Sequence, residues 1–248
     1  MEPNWKFSQL DYWNQRAVAG KGTGIVPFRN LELLFVDFWK KGNLILDAGC
    51  GLGEIMLHLR QTDKSLTLLG FDFSPEMVQQ ARHHGLNVFL ADIVNIKLND
   101  KSVDTTIAIR TIKNLLDLHT QSLAIGELSR ITSKRVIVID SIKETLVVPP
   151  SYNKYLPHDW LINNFKQKGF HLVHEEYFKL NLLGFPLFAS SQNFIPGSDE
   201  GFFVFDRDNK RRCELFTWKL QEIKYSFLTM IRSLLRKINS IIHYVSRT

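Results

Sequence analysis

Apolar residues along this chain follow two different rhythms, and the change between them marks its organisation. Residues 1–41 read as helical, with a break at Gly20-Lys21-Gly22-Thr23-Gly24 and a second helix across Leu31–Trp39. Short apolar runs then appear at Leu44–Leu46, Leu66–Phe71, Asn87–Ala91, Thr105–Ile109 and Arg135–Ile139. Each is rich in Val, Ile, Leu or Phe and too short for a helix, so each predicts a buried strand. Between them Glu54–Arg60, Pro75–His84 and Gln121–Ile131 support helices. Ser74-Pro75-Glu76 supplies a cap residue, a proline at the first helical position and an acid at the positive end of the helix dipole. Strands buried on both faces and alternating with helices form right-handed parallel βαβ units, with ligands beyond the carboxyl ends of the strands.

Beyond Asp140 the alternation loosens. A helix over Pro157–Lys168 stops at Gly169, and Phe170–Phe178 and Gly201–Phe205 read as strands. The loop joining them carries Gly184, Pro186, Pro196 and Gly197, which suggests an antiparallel edge strand with an insertion. From Glu214 to Val245 there is neither Gly nor Pro, and Phe216, Leu220, Ile223, Phe227, Met230, Leu234, Ile238, Ile241 and Val245 fall on one helical face. The expected architecture is therefore α/β, a Rossmann-like doubly wound and mostly parallel sheet with an antiparallel edge strand, plus a long C-terminal helix. It divides into an N-terminal helical cap (1–41), a ligand-binding domain (42–206) and a basic amphipathic helix (207–248).

Composition narrows the class. With 248 residues, 44% hydrophobic and 23% charged, the chain is globular and large enough for a substantial core. Cys50 and Cys213 are too few for a disulfide framework. Met1–Arg16 has no apolar h-region, and no stretch offers the roughly 20 apolar residues of a spanning helix. A cytoplasmic setting is the expectation. The net charge of +6 is local: residues 207–248 hold ten Lys/Arg against three Asp/Glu, which leaves residues 1–206 at −1. That tail is a candidate for self-association, for packing on the domain, or for peripheral contact with an anionic membrane surface.

The sharpest chemical signal runs from Leu44 to Ile55: a strand ending in Asp47, then Gly49, Gly51 and Gly53 leading straight into a helix. Glycines without Cβ atoms let a ligand lie against the backbone and allow positive φ, whereas a bare turn needs only one of them. A dinucleotide fingerprint would place its third glycine three positions after the second. Here it comes after two, and Glu54 follows, which would repel a pyrophosphate.

Gly49-Cys50-Gly51-Leu52-Gly53 behind Asp47 resembles the first motif of class I S-adenosylmethionine-dependent methyltransferases, of the type 11-like kind. The resemblance covers roughly residues 40–180. It includes Asp72, about 20 residues past the glycine loop, where a carboxylate accepts both ribose hydroxyls. It also includes Asp92 at the third strand end, beside the adenine amino group. What it implies is S-adenosylmethionine as cofactor, no metal, and a binding set of Asp47, Gly49, Cys50, Gly51, Gly53, Asp72, Phe73, Asp92, Ile93, Ile109 and Arg110. Each acid alone is more often a solvated turn or cap residue; it is the set of them with the glycines that carries the resemblance. The turn before the fifth strand departs from the family, with Thr132-Ser133-Lys134 in place of Pro-Gly-Gly.

Tyr12, Trp13 and Arg16 are candidates for a cofactor lid, or for a helix packed on the domain edge. The segment Ile109–Leu115 is where acceptor contacts fall in the family, and it faintly resembles methyltransferases of bacterial sugar and cell-surface glycan pathways. Arg110 is the candidate acceptor residue there, or else a surface arginine; His119 is a candidate base, or else a solvent-facing residue at a helix start. No general base is assigned. The expected activity is methyl transfer to an O or N acceptor on a small molecule, a sugar or glycan, or a lipid-linked substrate. Nucleic acid is not expected as a partner: no Asn/Asp-Pro-Pro-aromatic motif follows the fourth strand, neither cysteine has a Pro-Cys setting, and residues 1–206 carry no basic surplus. An RNA methyltransferase and a non-catalytic cofactor-binding module remain as alternatives.

Overall fold

A computed structural model describes residues 4–21, 26–143, 155–180, 186–189 and 200–208. Two helices come first, α1 (Asn4–Val18) and α2 (Val26–Trp39). The alternating part follows as β1 (Leu44–Ala48), α3 (Glu54–Thr62), β2 (Thr67–Asp72), α4 (Pro75–His83), β3 (Val88–Leu90) and β4 (Val103–Ile109). After a single turn of 3-10 helix at Ile112–Asn114 come α5 (Leu118–Ile131) and β5 (Thr132–Asp140). The last described elements are β6 (Ile142–Lys143), β7 (Leu156–Pro157), α6 (His158–Gln167), β8 (His171–Leu180), β9 (Pro186–Ala189) and β10 (Glu200–Asp206).

The main sheet has the order β3-β2-β1-β4-β5-β10-β8-β9. Its first five strands in that order are parallel, so the carboxyl ends of β1, β2, β3, β4 and β5 share one rim. The antiparallel β10 does not lie at the edge. It is inserted between β5 and β8, and the outermost strand on that side is β9, itself antiparallel to β8. Arginines pin β10 at both ends. Arg135 grips Asp206 with Nε and Nη2 at 2.5 and 2.8 Å, and Arg110 Nε reaches Glu200 at 3.4 Å.

Alternation along β5 explains the layers. Val136 and Val138 pack with Ala124, Ile125 and Leu128 of α5 and with Phe203 and Phe205 of β10. Ile137 and Ile139 are equally buried, as their alternation requires of the opposite face, and α2 packs against β5. Phe165 of α6 stacks on Phe205 with ring centroids 4.2 Å apart.

The departure at Thr132-Ser133-Lys134 has a physical reading. There is no turn: α5 ends at Ile131 and β5 begins at the next residue. Orphan carbonyls of the helix end find other donors, with Arg207 Nη2 donating to Ser129 O at 2.6 Å and to Thr132 O at 2.8 Å, and Lys101 N donating to Arg130 O at 2.8 Å. A glycine cap is therefore dispensable. Among the described residues no helix is long and apolar enough to cross a membrane. The amphipathic segment Glu214–Val245, with its expected roles, lies outside the described residues.

Candidate functional site

At the rim of strand ends the chain builds a cavity of about 600 Å³, within the usual range of small-molecule sites, about 300–1,000 Å³. Its base is the loop after β1. Gly49 N and Cys50 N both donate to Phe71 O at 2.9 Å, which fastens the loop to the end of β2. Gly53, at φ 79°, is required by the protein's own packing, since a Cβ there would lie 2.1 Å from Leu86 Cδ1. Gly51 is different. It lines the cavity at φ 53°, and a Cβ would meet no protein atom nearer than Met77 Sδ at 3.9 Å. The backbone is bared there towards the cavity rather than towards a neighbour, as a ligand cradle requires.

Asp72 closes the loop from the other side. Its Oδ2 accepts from Gly51 N and its Oδ1 from Ser74 N, both at 2.9 Å. Burial pushes this carboxyl up, against the amide hydrogen bonds from Ser74, Gly51 and Phe73 that pull it down. Asp92 lines the same cavity with Oδ1 accepting from Val94 N at 3.2 Å. Each oxygen retains acceptor capacity, so two carboxylates face a ligand that would need hydroxyl and amino acceptors. The acceptor set thus fits S-adenosylmethionine, whose ribose diol and adenine amino group would donate to Asp72 and Asp92.

Most of the residues expected from the sequence converge here. Gly49, Gly51, Asp72, Phe73, Asp92, Ile93, Ile109, Arg110 and Trp13 all line the cavity. Cys50 and Gly53 do not, because they face inward beneath the loop; burial, with Asp47 and Asp72 nearby, pushes the Cys50 thiol well up. Asp47 is buried at the end of β1 without lining the cavity. Tyr12 is exposed, and Arg16 lies over the Tyr12 and Trp13 rings at 5.7 and 5.9 Å.

Two readings left open on the acceptor side can now be placed. His119 is exposed and outside the cavity lining, as its solvent-facing alternative had it. Arg110 is no surface arginine: it is 5% exposed, with Nη2 bonded to Glu32 Oε1 and Nε to Glu200 Oε1. Its backbone sits at φ 51°, held by Arg110 N donating to Ile139 O at 2.7 Å and by Asn114 Nδ2 donating to Arg110 O at 2.6 Å. Gln9 of α1 donates from Nε2 to Asn114 O at 2.6 Å, and Thr111 Oγ1 donates to Ala48 O at 2.9 Å. Gln9, Thr111 and Asn114 thereby join α1, the loop after β4 and the glycine loop around one cavity. The sequence gives no signal for Gln9, since side-chain contacts over that separation leave no periodicity.

A second group missed from sequence lies at the end of β5. Asp140 is wholly buried, its Oδ2 accepting from Lys113 N and its Oδ1 from Ser141 N, both at 3.1 Å. Lys113 Nζ donates to Ser141 Oγ at 2.6 Å, and Ser141 Oγ donates to Glu200 Oε1 at 3.3 Å. Burial pushes Asp140 up to about 7, with Glu200 adding to the rise and Lys113 opposing it. The readable signal was a fourth acid at a fourth strand end.

S-adenosylmethionine or its demethylated product is expected to raise the melting temperature, because it binds only the folded state. At a hundred times Kd the gain is about 2.7 kcal/mol. NAD should give no shift. A shift with NAD and none with S-adenosylmethionine would overturn the reading of the glycine loop.

Comparison with known proteins agrees with this geometry. Residues 45–135 match the family model described as a methyltransferase domain. The chain is 30% identical over 172 residues to the malonyl-[acyl-carrier protein] O-methyltransferase of Erwinia billingiae, covering 64% of this chain and 65% of that protein. It is 28% identical over 108 residues to the tRNA (carboxymethyluridine(34)-5-O)-methyltransferase of Arabidopsis thaliana, covering 44% of this chain and 26% of that protein. Other curated relatives are matched over only about a fifth of their length. Among solved structures, magnesium protoporphyrin IX methyltransferase from Synechocystis, with bound SAH, superposes with a TM-score of 0.60 at 17% identity, covering 82% of this chain and 100% of that one. That likeness is one of fold. The tRNA methyltransferases among the relatives overturn the expectation that nucleic acid is no partner. Glycine loop, strand-end carboxylates, sheet order and the methyltransferase-domain match over residues 45–135 together support a class I S-adenosylmethionine-dependent methyltransferase.

Proposed function

We propose that the chain transfers the methyl group of S-adenosylmethionine to a carboxylate oxygen of its acceptor, forming a methyl ester. The observation that carries this reading is the cavity lining. Among the described residues it holds no His, Lys, Cys, Tyr or Glu, and its ionisable groups are Asp72, Asp92 and Arg110. The first two face the cofactor end and the third is locked between two glutamates. An alcohol or ammonium acceptor would have to shed a proton to a base. A carboxylate, with a solution pKa of about 4, is already ionised.

Two relatives support the same group from different directions. One is named for a malonyl carrier protein and the other for a carboxymethyluridine in tRNA; the carriers differ, and both acceptors hold a carboxylate. When bound, S-adenosylmethionine supplies a methyl on a sulfonium that leaves without protonation. The protein's task is then alignment and exclusion of water. Trp13, with Gln9 and Leu10 of α1, covers the cavity from one side, and the loop Arg110–Leu115 bounds the other.

The test is product chemistry. With methyl-labelled S-adenosylmethionine, the protein is incubated with tRNA carrying carboxymethyluridine or with malonyl acyl carrier protein. Label that mild alkali releases as methanol is the expected result, since esters hydrolyse and N-methyl or ether products do not. Alkali-stable label on either acceptor would sink the proposal, and which acceptor is labelled identifies the carrier.

A further inference from the structure

The cations at the carboxyl ends of β4, β5 and β6 are not equally committed. Arg110 is consumed by Glu32 and Glu200. Lys143 Nζ lies 4.1 Å over the Tyr155 ring. Lys113 differs from both. Its ammonium donates to the neutral hydroxyl of Ser141 at 2.6 Å, and among the described residues no carboxylate forms an ion pair with it. An ammonium has three N–H donors, and among the described residues only this one hydrogen bond engages them. The backbone of Lys113 is fixed by Asp140; Lys113 stands just outside the cavity lining, between Thr111 and Asn114, which do line it.

We propose that Lys113, held in place by Asp140 and Ser141, is the residue that anchors the negative charge of the methyl acceptor. This rests on the carboxylate reading above and assigns that acceptor's charge a partner on the loop after β4. The geometry is that of a prepared site. A half-buried cation is kept in place by the Asp140 carboxyl, which accepts from its backbone N–H, and by the Ser141 hydroxyl, which accepts from its ammonium, both at the end of β5.

Asp140 gives the anchor a pH dependence. The charged groups facing it are Lys113 from the 3-10 turn and Glu200 from β10, with Arg110 and Glu32 next in the chain of contacts. Below about 7 Asp140 is neutral and the Lys113 charge is fully available to a ligand. Above that value the Asp140 carboxylate offsets it. Affinity for an anionic acceptor therefore falls as pH rises through neutrality, and cofactor affinity does not follow.

The experiment measures malonate binding by calorimetry to protein saturated with S-adenosylhomocysteine, at pH 6.5 and 8.5, either side of the Asp140 value of about 7. Wild-type protein should bind malonate more tightly at the lower pH. Lys113→Met should weaken binding about ten-fold or more, the scale of one hydrogen bond to a charged group, and Lys113→Arg should restore most of it. Asp140→Asn should keep binding but remove its pH dependence. Affinity for S-adenosylhomocysteine should stay constant in all variants. Unchanged malonate binding in Lys113→Met overturns the proposal, as does loss of S-adenosylhomocysteine binding in that variant, which would make the lysine a structural residue. The two readings separate cleanly. Malonate binding through Lys113 without any ester product removes the proposed reaction and keeps the anchor; ester formation with an acceptor KM that Lys113→Met leaves unchanged does the reverse.

Discussion

Replacing Arg110 by methionine should lower stability by about 3–5 kcal/mol, the cost of stripping the partner from a buried charge. The guanidinium is 5% exposed, and Glu32 and Glu200 are 0% and 4% exposed, so neither carboxylate can turn to water when it goes. Two buried like charges would remain where a cation had joined α2 to β10. For a domain of typical stability, about 5–15 kcal/mol, this is a large share and could leave the variant unfolded at 37 °C. Urea midpoints measure the loss. The companion variant Glu32→Gln, Glu200→Gln, Arg110→Met carries no stranded charge and should recover much of it. A single Arg110→Met variant whose midpoint matches wild type would show that the triad is solvated in solution.

Asp72→Ala should weaken S-adenosylhomocysteine binding ten-fold or more, because hydrogen bonds to a charged acceptor are worth about 1.5–3 kcal/mol each. The loss has two sources in this structure. The carboxylate is placed to accept the ribose hydroxyls, and it also braces the glycine loop through Gly51 N and the start of α4 through Ser74 N. Ser74 caps α4 by accepting from Met77 N at 3.2 Å, so some loss of stability, about 1 kcal/mol, should accompany the change. Asp92→Ala should cost less, having one amino contact to lose. Titration calorimetry that finds equal affinity for wild type and Asp72→Ala would remove Asp72 from the site.

These two variants also divide what the sequence displays from what it conceals. Asp72 was legible because local rules wrote it: a strand end, a glycine loop about 20 residues earlier, and a Ser-Pro-Glu helix start directly after. The same rules gave β1 to β5 and the helices between them within a few residues. Arg110 was found at the right place, but its buried ion pairs were not foreseen. Its partners, Glu32 and Glu200, lie 78 and 90 residues away, and nothing periodic announces a pairing over such separations. The position of β10 was hidden for a related reason. Alternation shows that a segment is a strand, but which strand it adjoins is decided by packing, here by Arg135 with Asp206 and Arg110 with Glu200. Lys113 and Asp140 looked like ordinary loop and strand-end residues until the ends of β4 and β5 were brought side by side.

The insertion of β10 sets an order of events during synthesis. Strands β1 to β5 can pair as soon as each emerges from the ribosome, since every partner is already present. The free side of β5, with Val136, Ile137, Val138 and Ile139, must then wait while some sixty further residues are made before β10 arrives. Even β8, complete about twenty residues earlier, cannot dock on β5 until that strand slides in between, because its hydrogen-bonded neighbour on that side is β10. Nascent chains halted in this interval would present an unpaired apolar edge, the kind that recruits other chains. Expression of fragments ending before Glu200 should therefore yield aggregates, and the folding rate of the whole should be governed by the closing of this one long-range strand.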